Sequence, residues 1–160
     1  MIVRPAEPGD REELSRILNQ IIAIGGTTAY EEPVSPDYFD PLTAPHSEKT
    51  FLHVAEVDGK ILGFQWVEPL DPPDHDTGGI ATFARPGGVQ KGVGRALFAV
   101  TKQAARQAGY QAINAKIRAD NSGGLTYYER MGFAPFAILE NVPLKDGTPI
   151  NREIKRLVLD

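Results

Sequence analysis

One short segment in the second half of the chain, from Val89 to Leu97, most constrains what this sequence folds into. It reads Val-Gln-Lys-Gly-Val-Gly-Arg-Ala-Leu, follows an apolar run from Ile80 to Ala84, and precedes a long amphipathic stretch. The pattern predicts a strand, a glycine-containing turn and the start of a helix. The first amides of a helix have no partner within it and the helix dipole favours negative charge there, so we expect an anion-binding turn. Glycine at positions 92 and 94 would let a phosphate group approach the backbone closely.

Two common phosphate-binding motifs fit this segment poorly. A P-loop requires Lys-Ser/Thr directly after its second glycine, whereas Val93 and Gly94 follow Gly92. A dinucleotide-binding fold requires a third glycine where this chain has Leu97. It also requires an acidic residue about 20 positions further on, where this chain has Asn114. From the segment alone, a tight turn that only packs a helix against a strand remains an alternative.

A second segment follows one predicted strand later and runs from Asn121 to Phe133. Together, the two segments resemble the GCN5-related N-acetyltransferase (GNAT) family, which carries Gln/Arg-x-x-Gly-x-Gly/Ala at its pyrophosphate turn. The family then carries an Asn, a Tyr seven residues later and Gly-Phe four residues after that, as Asn121, Tyr128 and Gly132-Phe133 do here. The layout, including Arg4-Pro5-Ala6 near the start, is most similar to the phosphinothricin-type acetyltransferase branch.

The resemblance implies a GNAT-like fold of the α/β class. Such a fold has a central, mostly antiparallel mixed sheet of about six to seven strands with helices on both faces. A chain of 160 residues is an ordinary size for one domain, so we expect a single N-acetyltransferase domain spanning residues 1–160.

The periodicity of the apolar residues predicts elements in the same order. A capping-box-like pair, Asp10 and Glu13, indicates the first helix, and Asp58-Gly59 indicates a hairpin. The stretch from Pro69 to Asp76, rich in proline and aspartate, is predicted to be the longest loop. The predicted strands are 2–4, 51–57, 60–67, 79–85, 112–118, 134–141 and 150–159, and the main helices are 10–24, 92–107 and 121–131.

The resemblance further implies an acyl-CoA-dependent N-acetyltransferase that moves an acetyl group from acetyl-CoA directly to the primary amine of a small molecule. Acetyl-CoA would be a cosubstrate, held by backbone amides of the turn and by the preceding strand, which pairs with the pantetheine arm like an added strand. Val89 stands where the family usually has Gln or Arg, and the neighbouring Gln90 is a candidate substitute. The implied cosubstrate contacts are Phe83, Ala84, Val89, Gln90, Lys91, Gly92, Val93, Gly94, Arg95 and Asn121.

Tyr128 is the candidate general acid. A thiol has a reference pKa of about 8.5 and a phenol of about 10, so a tyrosine can hydrogen-bond a developing thiolate and pass it a proton. Taken alone, Tyr128 is better explained by packing, because Leu125 and Met131 share its helical face. The resemblance favours the catalytic role, and Tyr127 is then structural. Asn121 is also explained as a helix N-cap. Its contact with the cosubstrate is implied only by the resemblance.

The general base that removes a proton from the acceptor amine is less well defined by the sequence. An amine with a pKa of about 10 is only about one part in a thousand neutral near neutral pH, so something must remove its proton or lower its pKa. The phosphinothricin branch carries Glu in the strand before the turn, at the position where this chain has Gly79. The nearby candidates, acting directly or through water, are Glu68, Asp74, His75 and Asp76.

The pocket for the acceptor amine is predicted to form from the irregular segment 26–45 and the loop 69–77, because loops commonly carry specificity. Trp66 is a candidate wall, although an aromatic residue on a strand is usually in the core. Several acids in these segments would favour a cationic or amine-bearing acceptor. The candidate substrate-binding residues are Thr28, Tyr30, Glu31, Glu32, Glu68 and His75.

Composition narrows the function classes. A net charge of −4 argues against sequence-independent binding to nucleic acid, and no apolar run reaches the length of about 18 residues that a membrane span needs. The chain has no cysteine, which excludes disulfides and thiolate metal sites, and we expect no metal centre. No signal peptide is recognised at the start, which is compatible with a cytoplasmic location.

Two questions stay open at this level. Dimers are common among similar proteins, so a homodimer is expected, with residues 150–159 either at its interface or inside the sheet. The function alternatives are a non-catalytic acyl-CoA-binding or sensor module, which Gly79 in place of Glu keeps open, and an acetyltransferase for a protein or peptide amine. The acyl chain preferred by the protein is not indicated by any residue pattern.

Overall fold

Seven strands form the centre of the molecule. The computed structural model describes residues 1–43, 48–70 and 74–160, with the side chains of residues 74 and 75 outside the description. The strands are β1 (Ile2–Pro5), β2 (Phe51–Val57), β3 (Lys60–Leu70), β4 (Asp74–Ala84), β5 (Ala112–Arg118), β6 (Ala134–Pro143) and β7 (Pro149–Val158). The helices are α1 (Arg11–Ile24), α2 (Asp40–Thr43), α3 (Val93–Gln107) and α4 (Ser122–Arg130), with 3₁₀ turns at Pro8–Asp10 and Pro36–Phe39.

All seven strands belong to one sheet with the order β1-β2-β3-β4-β5-β7-β6. Neighbouring strands are antiparallel except β4 and β5, which are parallel because α3 connects them. The predicted mixed, mostly antiparallel sheet is therefore confirmed. Strand β7 lies inside the sheet, and β6 forms its edge.

Helices cover both faces of this sheet, as the sequence predicts. On one face, α1 buries apolar residues at helical spacing, such as Leu14 and Leu18, in the same cluster as Trp66 of β3. On the other face, α3 and α4 contribute Phe98 and Tyr128 to a second cluster with strands β3, β4 and β5. The sheet thus separates two cores, and the sites described below lie where β4 and β5 part.

The predicted turns are formed by residues that tolerate a positive φ. Asp58 and Gly59 have φ values of 51° and 77° and join β2 to β3, as the sequence indicates. Gly147, with a φ of 88°, lies in the connection between β6 and β7. Gly25 ends α1 at the predicted position, with a φ of 77°.

Two local predictions are wrong. The capping box is not formed by Asp10 and Glu13 but one turn earlier, by Glu7 and Asp10. The Asp10 carboxylate accepts bonds from the Glu7 amide at 2.8 Å and from Arg4, so it is not available to cap α1, while Glu13 forms an ion pair with Arg85.

In the predicted long loop, Pro69 to Asp76, the described residues belong to strands, while residues 71–73 lie outside the description. Strand β3 continues to Leu70 and β4 begins at Asp74, with Pro69 opposite Gly78 and an irregularity in the register after it. Pairing with β4 overrides the local signal of prolines and aspartates, because a proline near a strand end removes few ladder bonds.

Candidate active site

The parallel strands β4 and β5 separate along their second halves. They pair only from Thr77 to Ile80 and from Ala112 to Ala115, although β4 continues to Ala84 and β5 to Arg118. A cavity of about 580 Å³ opens at this gap. Within the described strands, the edge of β4 that faces β5 therefore has free backbone groups beyond Ile80, and an extended ligand can pair with them. The lining residues from β4 are Ile80, Ala81, Thr82, Phe83 and Ala84.

The predicted anion-binding turn follows β4 directly. Gly92 has a φ of 84°, in the left-handed region, and open space surrounds its α-carbon on the side-chain side. Among the residues that the structure describes, the main-chain amides from Val89 to Arg95 make no hydrogen bond to a neighbouring strand or another loop, and Lys91 and Gly92 form only a local turn. The first internal bond of α3 runs from the Ala96 amide to the Gly92 carbonyl, at 3.0 Å. These free amides at a helix start provide the donors that a phosphate group requires.

The structure brings only part of the predicted cosubstrate set to the cavity wall. Phe83, Ala84, Gly94 and Asn121 line it. The residues of the turn itself are exposed, including Val89, Gln90, Lys91 and Arg95, whereas Val93 is buried under the sheet. Val89 is 94% exposed, so its side chain contacts little protein.

Gly94 has a second role that the sequence does not indicate. A Cβ atom at this position would lie 2.5 Å from Cε1 of Tyr127, closer than any real contact. The Tyr127 hydroxyl donates to the Gly94 carbonyl at 2.8 Å, so the absence of a side chain here allows α4 to pack against the first turn of α3. Packing therefore explains Gly94 independently of a phosphate.

Tyr128 lies in the wall of the same cavity, with 6% of its surface exposed. Its hydroxyl is 2.8 Å from Oγ1 of Thr82 on β4. Burial raises the pKa of Tyr128, and the Thr82 hydrogen bond opposes that rise only in part. The phenol consequently keeps its proton across the physiological range, as a hydrogen-bond donor to a leaving sulfur must.

Sequence reasoning missed two residues near Tyr128, which are Thr82 and Gln65. Gln65 on β3 is fully buried, and its Nε2 donates to Oγ1 of Thr82 at 2.8 Å and to the Tyr127 hydroxyl at 3.0 Å. Burial raises the pKa of Tyr127 to about 12, although the hydrogen bond from Gln65 acts in the opposite direction. The signal available in the sequence was a lone amide within the apolar run of β3, because a buried amide needs hydrogen-bond partners.

Asn121 caps α4, as predicted. Its Oδ1 accepts from the Gly124 amide at 3.0 Å, and its Nδ2 donates to the carbonyl of Thr27 at 2.9 Å. The same side chain therefore ties α4 to the segment that follows α1. Gly124 allows this arrangement, since a Cβ atom there would lie 2.5 Å from Nδ2 of Asn121.

A separate groove of about 650 Å³ lies between the start of α3 and the outer face of α4. It contains two exposed arginines, Arg95 of α3 and Arg130 of α4. Sequence reasoning missed Arg130, because no local pattern shows that the last turn of α4 faces the first turn of α3. The other lining residues are Gly92, Gly94, Ser122, Gly123, Thr126, Tyr127 and Met131.

The acceptor side of the cavity differs from the expectation. Thr28 and Tyr30 line it, but the acids of their segment do not. Glu32 forms an ion pair with Lys145, and the Glu31 carboxylate accepts from the Lys145 amide at 2.9 and 3.0 Å. Both acids are thus committed to the β6–β7 connection.

Basic residues line this side instead. Lys116 and Arg118 of β5 and Arg152 of β7 all belong to the cavity wall, which contains no acid among its described residues. Arg118 is neutralised by Asp120 at 2.8 Å and donates to the Thr28 carbonyl at 3.2 Å. Lys116 and Arg152 have no ion pair within the described parts of the chain. The acceptor end of the cavity therefore carries positive charge.

The candidate bases are placed as follows. Glu68 of β3 is exposed and lies directly opposite Gly79 in the register of β3 and β4, so both positions share one face of the sheet. A Cβ atom at Gly79 would lie 3.0 Å from Cδ2 of Leu70, which fills the space that a larger residue would need. The side chains of Asp74 and His75 lie outside the described residues, while Asp76 is exposed.

Tyr30 lies in the cavity wall and feels the charge of Glu68, which does not itself line the cavity. Burial raises the pKa of Tyr30, and its contact with the Tyr38 hydroxyl and the negative charge of Glu68 raise it further. Trp66 does not form a wall of the cavity. It is 3% exposed and packs among Phe39, Phe64 and Phe83 in the core.

Comparison with known proteins agrees with this geometry. Residues 18–133 match the Acetyltransferase (GNAT) family, and the chain belongs to that family. It is therefore an acetyltransferase. Separately, no helix in the described part of the chain is long and apolar enough to cross a membrane.

Individual relatives agree with the branch indicated by the sequence. The predicted phosphinothricin acetyltransferase YwnH of Bacillus subtilis (strain 168) is 29% identical over 150 residues, covering 92% of each chain. The crystal structure of a predicted phosphinothricin N-acetyltransferase superposes with a TM-score of 0.87 and 26% identity, covering 99% of this chain and 98% of the other. A phosphinothricin acetyltransferase from Sinorhizobium meliloti, solved in complex with acetyl-CoA, shares the fold with a TM-score of 0.84 and 17% identity, covering 99% and 88% of the two chains.

Proposed function

We propose that the protein transfers the acetyl group of acetyl-CoA to the primary amine of a small molecule. The observation that carries this proposal is the gap between β4 and β5, where a free strand edge and the Tyr128 hydroxyl line one cavity. The turn with free amides adjoins the end of β4. A single domain spanning residues 1–160 would supply all of these groups.

The residues present fit acetyl-CoA, which supplies an acyl group activated as a thioester. The free amides from Val89 to Arg95 and the exposed cations Lys91 and Arg95 suit a diphosphate. The free edge at Phe83 and Ala84 suits the amides of the pantetheine arm. Arg130, across the groove from Arg95, suits a further phosphate group of the nucleotide.

Tyr128 would donate a hydrogen bond to the sulfur atom that leaves. In the reaction a C–N bond forms, the C–S bond breaks, the amine loses one proton and the sulfur gains one. The high pKa of the buried phenol makes complete proton transfer to a thiolate unfavourable, so the main effect of Tyr128 is to stabilise the developing negative charge. Any proton that Tyr128 gives up is replaced from solvent.

Glu68 would accept the proton of the amine, directly or through a water molecule. It stands on the strand next to Gly79 and on the same face of the sheet, so its carboxylate substitutes for a glutamate at position 79 from one strand away. A Cβ atom at position 79 would lie 3.0 Å from Cδ2 of Leu70, so a glutamate there would require the Leu70 side chain to shift.

The acceptor would carry an anionic group as well as its amine. Lys116 and Arg152 are unpaired cations on the cavity wall, and no described lining residue is acidic. An ammonium group alone would be repelled by this wall, whereas a carboxylate, phosphinate or phosphate group would be attracted. This proposal replaces the cationic acceptor that composition suggested.

A second copy of the chain would cover β6, giving a homodimer. This edge strand is exposed along nearly its whole length, and its large apolar side chains Phe136 and Ile138 are 53% and 61% exposed. Unprotected apolar edges favour association. Sedimentation velocity tests this directly, since an Ile138→Lys variant should dissociate and a monomeric wild type would exclude the dimer.

The experiment that tests the activity measures release of free thiol from acetyl-CoA with a panel of amines. The panel contains amino acids with a second anionic group, phosphinothricin, polyamines and a peptide with a free N-terminus. We expect release with the anionic amines, and a Tyr128→Phe variant should lower kcat by about 100-fold. Tyr110→Phe is the matched control, because Tyr110 belongs to the same buried cluster as Tyr128 but does not line the cavity, and its hydroxyl is bonded to the Lys49 carbonyl.

The alternatives predict different results. A sensor module would bind CoA without releasing thiol with any amine, and a protein acetyltransferase would respond to the peptide alone. Equal turnover of wild type and Tyr128→Phe would remove the role assigned to Tyr128.

A further inference from the structure

A continuous line of hydrogen bonds joins the first turn of α3 to Tyr128. The Tyr127 hydroxyl contacts the Gly94 carbonyl at 2.8 Å, and Nε2 of Gln65 lies 3.0 Å from the Tyr127 oxygen. The same nitrogen lies 2.8 Å from Oγ1 of Thr82, which is 2.8 Å from the Tyr128 hydroxyl. The line runs from α3 through α4, β3 and β4 and returns to α4 at Tyr128. Its last two members, Thr82 and Tyr128, line the cavity.

The direction of the first three hydrogen bonds in this line follows from its first member, while the bond between Thr82 and Tyr128 can run either way. A carbonyl only accepts, so Tyr127 must give its single hydroxyl proton to Gly94 and can only accept from Gln65. The atom of Gln65 that faces Tyr127 is therefore the amide nitrogen, and its second proton goes to Oγ1 of Thr82. Thr82 can then give its own proton to the Tyr128 oxygen, and in that arrangement the Tyr128 proton is free to point into the cavity.

The other end of the Gln65 amide supports this assignment. Its Oε1 atom is buried and has no hydrogen-bond partner among the described residues. A buried acceptor without a partner costs stability. No hydrogen bond from a described residue to Oε1 therefore holds the Gln65 side chain in this orientation, and the bonds of its Nε2 do. The demand for a donor at Tyr127 and Thr82 is what sets the orientation.

We propose that Gln65 and Thr82 are positioning residues that direct the hydroxyl proton of Tyr128 toward the sulfur of bound CoA. The proposal rests on the proposed function, since it requires CoA sulfur next to Tyr128. A donated bond from Thr82 also stabilises negative charge on the phenol oxygen, which makes the Tyr128 hydroxyl a stronger donor.

The test measures the thiol pKa of bound CoA, which needs no acceptor amine. Wild-type protein is first saturated with CoA, and thiolate absorbance in the ultraviolet is followed as the pH is raised. We expect a bound thiol pKa below the reference of about 8.5, because a donor at the sulfur favours the thiolate. Thr82→Val, which removes the hydroxyl at similar volume, should raise this pKa by about one unit, and Thr82→Ser should restore it.

A double-variant comparison separates positioning from general packing. In a Tyr128→Phe background, Thr82→Val should change the thiol pKa no further, because Thr82 acts only through Tyr128. Gln65→Met keeps the side-chain volume, removes both donors, and should reproduce part of the Thr82→Val shift. It provides the same test if Thr82→Val does not fold. With an amine found to be a substrate, Thr82→Val should lower kcat while the KM for acetyl-CoA stays within about twofold.

The outcomes are distinct. A Thr82→Val or Gln65→Met protein with the wild-type thiol pKa, or a shift that persists without the Tyr128 hydroxyl, would overturn the positioning role. Failure of wild-type protein to bind CoA would overturn the proposed function and this inference with it. Melting temperatures measured on the same samples show whether each variant is folded.

Discussion

The Tyr127 hydroxyl donates to the backbone carbonyl of Gly94 at 2.8 Å, and the Tyr127 ring occupies the space that a side chain at position 94 would fill. This relationship fixes α4 against the first turn of α3, the part of the chain that carries the free amides. The strand edge, the turn and Tyr128 are thereby held in one arrangement.

Gly94→Ala should destabilise the protein although alanine favours helices. Relief of the glycine penalty contributes about 1 kcal/mol of stability, but overlap with the Tyr127 ring costs about 1–3 kcal/mol, so the net effect is a loss. In a Tyr127→Leu background the overlap is removed, and the same change should become neutral or stabilising. Chemical denaturation of the four proteins measures this, and an unchanged penalty in the Tyr127→Leu background would contradict the packing role of Gly94.

Glu68→Gln should lower kcat by about 10- to 100-fold near neutral pH, because the amine then loses its proton without help. The rate should recover as the pH approaches the amine's own pKa of about 10, since the free base becomes abundant there. A pH–rate profile makes the measurement, and Glu140→Gln on the exposed edge strand is the charge-matched control. Parallel profiles for Glu68→Gln and wild type would exclude Glu68 as the base.

A double change of Lys116→Gln and Arg152→Gln should raise the KM for an anionic amine by about tenfold, equivalent to about 1.4 kcal/mol of lost attraction. An amine without a negative group should show little change or bind better, because the repulsion of its ammonium form falls. Steady-state kinetics with a matched pair of amines gives the comparison, and a double change of Lys60→Gln and Arg16→Gln at exposed positions controls for net charge. Equal effects on both amines would remove the electrostatic explanation.

Arg130→Gln should weaken binding of CoA but leave binding of 3′-dephospho-CoA unchanged, because the guanidinium is assigned to a nucleotide phosphate. The loss should shrink at high salt, as expected for exposed charges. Calorimetric titration with both ligands measures the difference, and Arg16→Gln on the exposed side of α1 is the control. Equal weakening of both ligands would place Arg130 elsewhere on the nucleotide.

His53 should make stability depend on pH in the mildly acidic range. It is 8% exposed, its Nδ1 has no hydrogen-bond partner among the described residues, and burial lowers its pKa. The unfolded chain, with a histidine pKa of about 6.5, then binds the proton more readily than the folded protein. Stability is therefore full above about pH 6.5 and falls as the pH drops toward the lowered pKa of the folded state.

The variant His53→Leu should show a flatter dependence than wild type over that interval. Unfolding free energies measured by denaturant at several pH values test this expectation. A variant curve that runs parallel to that of wild type would assign the pH dependence to other groups.

The sequence was sufficient for the order of elements and for the glycine-containing turn at the start of α3. Apolar spacing predicted α1, α3 and the main strands, and the pair Asp58-Gly59 predicted its hairpin, because these features depend on local conformation and on a single buried face. Asn121 was predicted as a cap for the same reason, since its partner is only three residues away.

Local signals failed where pairing between distant segments competed with them. Pro69 and its acidic neighbours indicated a loop, but strand pairing extends β3 to Leu70 and begins β4 at Asp74. The acids near Tyr30 suggested a negative pocket, but Lys145, more than a hundred residues away in sequence, engages Glu31 and Glu32.

What the sequence by itself determined is which groups could bind a phosphate, since this follows from residue type and short spacing, whereas Tyr128 was selected by the resemblance of its segment to a known family. Only the tertiary structure decided that β4 and β5 part after Ile80, that Lys116 and Arg152 face the resulting cavity, and that Gln65 lies between the two tyrosines. These relationships join strands β3, β4, β5 and β7 with helix α4. They depend on the register and twist of the whole sheet, which no local pattern of residues encodes.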